Sequence, residues 1–521
     1  MRIKNLEFRI QNLFLPLILI VSAFLRLYRI GDYMTFLGDE GRDALIVYNI
    51  LHGKLTLLGP TASVGGFFLG PIYYYFMAVF TFLFNYSPVG PSVMVALFGI
   101  ATVWLIYKVC KEFFDYKVGL IAALLYAISP IVISYSRSSW NPNPLPFFSL
   151  LSLYTLYKAV KKNNWLFFII SGLLLGIAIQ LHYLTLFLIV IVLAYVLFAN
   201  FVVFKKTFFK NLSNTVRSYL LVVVGFLIGW LPFLAFELRH GFPNIISIFN
   251  FIFSSGKTGA GASFFSNIYD VFTRVFSRFL FSFPPIEQLT NYNKNLLIFW
   301  QYIILIFAVL STIVLLTKLW RRKSNKEELL KYGLLATWFL IGIILFGFYK
   351  KSIYEYYFGF MFPAPFILIA LLIVSLAKVK FGKLIGALIL IGIFIINIQG
   401  VPFRYIPNRQ LNQAETISKF VLDKTDNKPF NFALITGGNS DYAYRYFFTI
   451  WNHPPITIEQ PANDPERKTV TDQLLIICES LPCEPLGNSL WEVAGFGRAE
   501  IADSWDVSVV KIYKLVHYKE R

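Results

Sequence analysis

Eleven stretches of this chain are apolar over nearly enough residues to form a helix that crosses a lipid bilayer. They are 13–29, 89–109, 118–134, 145–160, 165–181, 184–204, 218–236, 295–317, 332–349, 359–377 and 384–398. A span needs about 20 mostly apolar residues, because the hydrocarbon layer is about 30 Å thick. Composition agrees: 57% of residues are hydrophobic, 14% are charged, and the mean hydropathy is +0.63. A soluble domain sits near ~45–50% apolar and ~25% charged. Soluble enzymes, disordered chains and collagen-like rods are excluded, and three cysteines exclude a disulfide scaffold. The expected fold is a polytopic α-helical membrane protein with about eleven spans plus interfacial helices.

The net charge of +19 does not point to nucleic acid, because the cations lie between the spans. A twelfth apolar stretch, 71–86, decides the sidedness. If it does not cross, Met1–Asn12, 108–117, 158–164, 205–217, 317–331 and 378–383 share one side, with 22 Lys/Arg and five acids. The opposite side, without the tail after 399, carries 12 Lys/Arg and eight acids. Basic loops stay cytoplasmic. Residues 71–86 are therefore expected to lie along the interface or re-enter, with Tyr73, Tyr74 and Tyr75 at the headgroups. The N-terminus is placed inside and the C-terminus outside. The first span, which lacks a cleavage site, reads as an uncleaved anchor.

This division assigns 1–399 to a transmembrane domain, with a first outer loop at 30–88 and another at 237–294. The second loop contains Gly256-Lys257-Thr258-Gly259-Ala260-Gly261, which reads as a mobile lid rather than a phosphate loop. Residues 400–521 turn polar and read as a small extracytoplasmic α/β domain. Its expected elements are strands at 430–436, 456–458 and 473–478, a helix at 441–451, and a further pair at 491–501 and 506–516. Cys478 and Cys483 lie there, either bridged or as two free thiols. Cys110 falls on the cytoplasmic side.

Asp39 and Glu40 follow the first span closely. After them, 41–53 reads as an amphipathic helix lying on the membrane, with Ala44, Leu45, Val47, Tyr48 and Leu51 as its apolar face. An acidic pair at that boundary is either a solvated helix cap or a proton acceptor. Arg137 ends the third span and either snorkels to headgroups or grips a phosphate. Gln180, His182 and Tyr183 occupy a tight outer turn. Lys350 and Lys351 lie on the outer side, against the positive-inside trend, which favours an anion site there. Neither HExxH, paired CxxC nor a Walker loop is present.

Taken together, these features resemble the GT-C class of membrane glycosyltransferases, of the family-39 type that includes protein O-mannosyltransferases and lipid A aminoarabinose transferases. Gly38-Asp39-Glu40-Gly41-Arg42-Asp43 resembles the acidic motif of that family's first outer loop, and Gly70-Pro71-Ile72-Tyr73-Tyr74-Tyr75 its following segment. Tyr135-Ser136-Arg137 is similar to a third motif, but Asn141 and Asn143 stand where an Asp is usual. Lys350/Lys351 and Glu355-Tyr356 match a fourth more loosely.

The resemblance implies an inverting transfer of sugar from a polyprenyl-phosphate donor to an acceptor hydroxyl on the outer face. The acceptor is a glycan, lipid or protein. Asp39 and Glu40 are the implied catalytic acids. Arg137, Asn141, His182, Lys350, Lys351, Tyr356, Arg42 and Asp43 are the implied donor or substrate residues. No DxD pair is visible, so neither an obligatory metal nor another cofactor is expected. A lipid transporter or flippase and a noncatalytic envelope-assembly scaffold are the competing readings. Transporters carry internal repeats and mid-membrane ionisable groups; the sequence displays no repeat, and acids are scarce within its spans.

Overall fold

The computed structural model describes residues 2–62, 65–205, 207–253 and 263–518. The glycine run 256–261 lies outside the described residues. The chain is a polytopic helical membrane protein with a small sheet near its C-terminus. Contacts divide it into two units. The first comprises Met1–Tyr28, Thr56–Tyr73 and Val93–Tyr405; the second comprises Arg29–Leu55, Tyr74–Ser92 and Ile406–Arg521. This grouping differs from a cut at 399/400, because two upstream segments join the tail.

The expected spans are largely helical, with a break at Ser129 inside 118–134 and a helix end at Phe346 inside 332–349. Among the described residues six helices are long and apolar enough to cross, and a bent pair, Glu355–Met361 with Pro363–Leu376, makes a seventh. The stretches at 13–29, 118–134 and 165–181 contain shorter apolar helices. The helix Leu145–Lys162 ends on Lys161 and Lys162. The helix Ile72–Leu83 has 12 residues. At 1.5 Å per residue it reaches about 18 Å, too short for the hydrocarbon layer.

The helices Trp165–Leu181 and Phe208–Gly229 pack closely against each other. Glycines four residues apart face each other there. A Cβ on Gly172 would stand 2.0 Å from the Val222 carbonyl oxygen, and one on Gly225 would stand 1.9 Å from that of Ile169. Small residues at this spacing let helix backbones meet in lipid, where no hydrophobic effect drives helices together.

The second unit is built on a four-stranded sheet: β1 (Asn431–Ile435), β2 (Gln473–Cys478), β3 (Ala499–Val507) and β4 (Val510–His517). Their order is β1-β2-β4-β3; β1 and β2 are parallel and the other pairs antiparallel. Strand β2 is buried throughout and apolar after Gln473, because both its faces are covered. Leu475 and Ile477 face one core; Leu474, Ile476 and Cys478 face the other. The first core also takes in helices Gln410–Asp423 and Tyr442–Ile450, together with Met34, Phe36 and Ala44 from the segment Arg29–Leu55.

Several expectations change here. Residues 456–458 form no strand. The segment follows Pro454-Pro455, and Ile456 makes a backbone bond to Phe430 while its carbonyl accepts from the Asn431 side chain. The expected strand 491–501 opens as the short helix Trp491–Ala494, and β3 starts only at Ala499. The helix Gln410–Asp423 was not expected. Cys478 and Cys483 are bridged.

Candidate functional site

In the second unit, the Asp39-Glu40 pair lies on a helix, Gly38–Leu51, and not on a loop. This helix does not lie bare on a membrane. Gly38, Gly41, Ala44, Val47 and Ile50 are buried, and its partner is the helix Tyr442–Ile450. Glycine permits this approach: a Cβ on Gly41 would stand 2.3 Å from the Ala443 nitrogen, and one on Gly38 would stand 2.0 Å from Ser440 Oγ.

That packing turns the acids of one helical turn toward different surroundings. Asp39 is open, with its side chain 70% exposed, and accepts from Arg42 Nη1 at 2.9 Å. Glu40 reaches back to accept from the Leu37 N–H at 3.1 Å, one half of a capping box. Burial raises its pKa, against the lowering effect of that N–H. Asp43 is buried; its Oδ1 accepts from Arg42 Nε at 3.0 Å, from Arg42 Nη2 at 2.8 Å and from the Tyr74 hydroxyl at 3.0 Å. Burial pushes Asp43 up to about 6 despite Arg42. Arg42 thus ties the exposed acid to the buried one. Asp43 is a strut under this arrangement rather than a surface that meets substrate. Tyr74 is likewise buried, as is Tyr73, whose hydroxyl meets Ser139 Oγ at 2.7 Å within the first unit. Those two tyrosines are interior partners, not headgroup anchors.

In the first unit, His182 caps the helix Trp165–Leu181. Its ring is buried, and Nδ1 accepts from the Leu184 N–H at 3.2 Å. Burial lowers its pKa to about 3, so the imidazole is neutral at working pH. A cationic role for His182 is therefore set aside; it can offer a hydrogen bond, not a charge. Asn141 is buried and donates to the Leu181 carbonyl at 2.7 Å, so it braces the same turn. The Tyr356 ring lies 4.5 Å from that of Trp140 and 5.7 Å from that of His182.

Beside this turn lies an apolar cavity of about 360 Å³. Phe67, Tyr183, Phe187, Val190 and Phe251 form its walls, and Lys350 and Lys351 join its lining. The Lys351 ammonium stands 4.8 Å from the Phe251 ring centroid. Two cations on an apolar recess suit a molecule that is greasy along its length and anionic at one end.

Arg137 is not part of that recess. It is 2% exposed, and its Nη1 and Nη2 donate to the carbonyls of Leu25 and Tyr28 at 2.9 and 2.8 Å. Leu25 lies in the last turn of the helix Arg2–Leu27 and Tyr28 just past its end, so Arg137 satisfies a helix C-terminus rather than gripping phosphate or snorkelling. The other flagged polar group, Gln180, ties three segments together. It donates to the Gly229 carbonyl at 2.6 Å and accepts from the Ile72 N–H at 3.3 Å, with Gly70 against its side chain.

Sequence reasoning missed two further groups. Glu237 is fully buried and accepts from Asn244 Nδ2 at 2.7 Å and the Ile245 N–H at 3.0 Å. Arg278 pairs with Glu355 at 3.0 Å. The spacing of Asp270, Arg274 and Arg278, one turn apart on the helix Phe264–Leu280, was the available signal.

The architecture is that of the GT-C class of membrane glycosyltransferases. ArnT from Cupriavidus metallidurans, solved bound to undecaprenyl phosphate, aligns over 96% of this chain and 97% of its own with a TM-score of 0.59 at 13% identity. The Archaeoglobus fulgidus oligosaccharyltransferase aligns over 86% of this chain and 64% of its own, with a TM-score of 0.55 at 14% identity. Residues 69–235 match the family described as dolichyl-phosphate-mannose-protein mannosyltransferase. A Bacillus subtilis protein with a provisional mannosyltransferase name, YycA, is 25% identical over 160 residues, which is 31% of this chain and 23% of its own length. The chain thus aligns with less than a quarter of that relative.

Proposed function

We propose that this protein transfers a sugar from a polyprenyl-phosphate donor to an acceptor hydroxyl at the extracytoplasmic boundary of the membrane, with inversion. The observation that carries the reading is the apolar cavity that bears Lys350 and Lys351. Its walls suit a prenyl tail, and the lysines offset the charge of the phosphate. ArnT, solved with undecaprenyl phosphate, shares the fold.

In this reaction Asp39 takes the proton of the acceptor hydroxyl as its oxygen attacks the anomeric carbon. The bond from that carbon to the phosphate oxygen breaks, and the phosphate leaves with the electron pair. Charge builds on the sugar as an oxocarbenium-like centre, as in glycoside hydrolysis. Asp39 suits the role of base because it is exposed, and Arg42 fixes its direction. The basic loops on the opposite side put the N-terminus in the cytoplasm. We write the reaction without a metal because no DxD motif accompanies the acidic helix.

Purified protein tests the scheme with labelled undecaprenyl phosphate and its sugar conjugates. Lys350→Ala/Lys351→Ala should weaken lipid-phosphate binding at least ~10-fold, the loss of one or two charged contacts. Asp39→Asn should still bind donor and lose ~10²–10⁴ in transfer rate. Unchanged binding by the lysine variant, or near-normal transfer by Asp39→Asn, would defeat it.

A further inference from the structure

The second unit holds a chain of hydrogen bonds that ends on the acidic helix. Glu479 follows β2. Its carboxylate accepts from Thr436 Oγ1 at 2.8 Å, from the Tyr444 hydroxyl at 2.8 Å, and from Asn439 Nδ2 at 3.0 and 3.2 Å. Asn439 Oδ1 in turn accepts from the Gly38 N–H at 3.0 Å. Gly38 is the first residue of the helix that carries Asp39 and Glu40, and its N–H is one that a helix cannot satisfy internally.

The direction of each bond matters. An acceptor-only carboxylate forces the NH₂ of Asn439 toward Glu479, which leaves the amide oxygen aimed at Gly38. Were the amide reversed, two N–H groups would face each other at Gly38. Glu479 therefore sets which end of Asn439 the acidic helix meets. The bond adds to a close fit: Gly38 and Gly41 rest against Ser440 and Ala443 with no room for a Cβ.

We propose that Asn439, aimed by Glu479, is a positioning residue for Asp39, so that the C-terminal α/β domain belongs to the transfer machinery and is not an appendage. The proposal rests on the reading of Asp39 as the base. It acts through the helix terminus: loss of the Gly38 bond frees the first turn to shift, while the donor-binding lysines lie in the other unit. A displacement of about 1 Å can cost on the order of 100-fold in rate.

The test uses full-length protein carrying Asn439→Ala, Glu479→Gln or Glu479→Asp. Hydrogen exchange of the 37–43 peptide, undecaprenyl-phosphate binding, and kcat and KM for transfer are measured on each. Asn439→Ala and Glu479→Gln should speed exchange in that peptide at least ~10-fold and lower kcat ~10- to 100-fold. Donor KM and lipid binding should stay within about twofold, and Glu479→Asp, which keeps an acceptor-only group, should recover part of kcat. Unchanged exchange, or a fall in kcat matched by lost lipid binding and general unfolding, would overturn the proposal. Faster exchange with no effect on kcat would overturn it too. The parallel Asp39→Asn variant separates the two claims. If that variant transfers normally, the base assignment fails whatever Asn439 does. If it is inactive while Asn439→Ala is unaffected, only the positioning claim fails.

Discussion

Gly41→Ala places one methyl group where two helices meet. The new Cβ would stand 2.3 Å from the Ala443 nitrogen, 2.5 Å from the Tyr442 carbonyl carbon and 2.6 Å from Ala443 Cα. All three are backbone atoms, so no rotamer change relieves the contact. Reaching an ordinary separation of at least 3.4 Å requires 3.4 − 2.3 = 1.1 Å of movement between the helices Gly38–Leu51 and Tyr442–Ile450. Overpacking of this kind costs about 1–3 kcal/mol, while Gly to Ala in a helix gains up to about 1 kcal/mol. With rigid backbone on the far side the upper part of the cost applies, and the net loss should be about 2 kcal/mol. For a unit of this size that lowers the apparent Tm by about 4–8 °C. Thermal unfolding of the purified protein in detergent reads it, with Gly392→Ala as the control, because nothing lies within 4 Å of a Cβ there. The control should be neutral or slightly more stable. Transfer should also fall in Gly41→Ala, since Asp39 rides on the displaced helix. A Gly41→Ala protein as stable as the control would show that the two helices are not in this contact.

Three further outcomes are expected. The folded pKa of Asp43, about 6, lies above its ordinary value of 3.8, so the folded state holds a proton there that the unfolded chain releases. Its contribution is greatest below pH 4 and is lost as pH rises through 6, by up to ~3 kcal/mol at 1.36 kcal/mol per unit; Tm recorded from pH 4 to 7 should therefore fall more in wild type than in Asp43→Asn, and parallel curves would count against it. Arg137→Lys should reach only one of the Leu25 and Tyr28 carbonyls and cost about 1.5–3 kcal/mol in stability, while undecaprenyl-phosphate affinity stays unchanged; a selective loss of lipid binding would restore the phosphate role. In a cysteine-free background, an impermeant thiol reagent on intact cells should label Glu484→Cys and spare Lys323→Cys, and the reverse pattern would invert the assigned topology.

The acidic motif shows how far local sequence reaches. Asp39 and Glu40 were legible as candidates because Gly38–Asp43 resembles an acidic family motif close after the first span. Their unequal surroundings were not, because Arg42, Tyr74 and the helix Tyr442–Ile450 act on them together and two of these lie far along the chain. The same limit explains Arg137 and His182. Residue type suggested cations for a phosphate, yet burial neutralises one and backbone carbonyls occupy the other. Glu237 and the Asn439–Glu479 chain went unseen for a related reason. A single acid or amide, buried or half-buried, has no periodicity, and only its partners give it meaning.

Sequence alone determined that this chain folds in lipid and where most of its apolar helices lie, and the charges of its loops argued that 71–86 does not cross. The first two follow from hydropathy, which is additive along a stretch of about 20 residues and needs no knowledge of neighbours; the third follows from the orientation rule for basic loops. Tertiary structure decided that residues 29–55 and 74–92 join the C-terminal domain, that glycines set the close approach of two helix pairs at Gly172/Gly225 and at Gly38/Gly41, and which lysines border a cavity. Packing at 2–4 Å depends on atoms brought together from distant parts of the chain, and that information is absent from any local window of sequence.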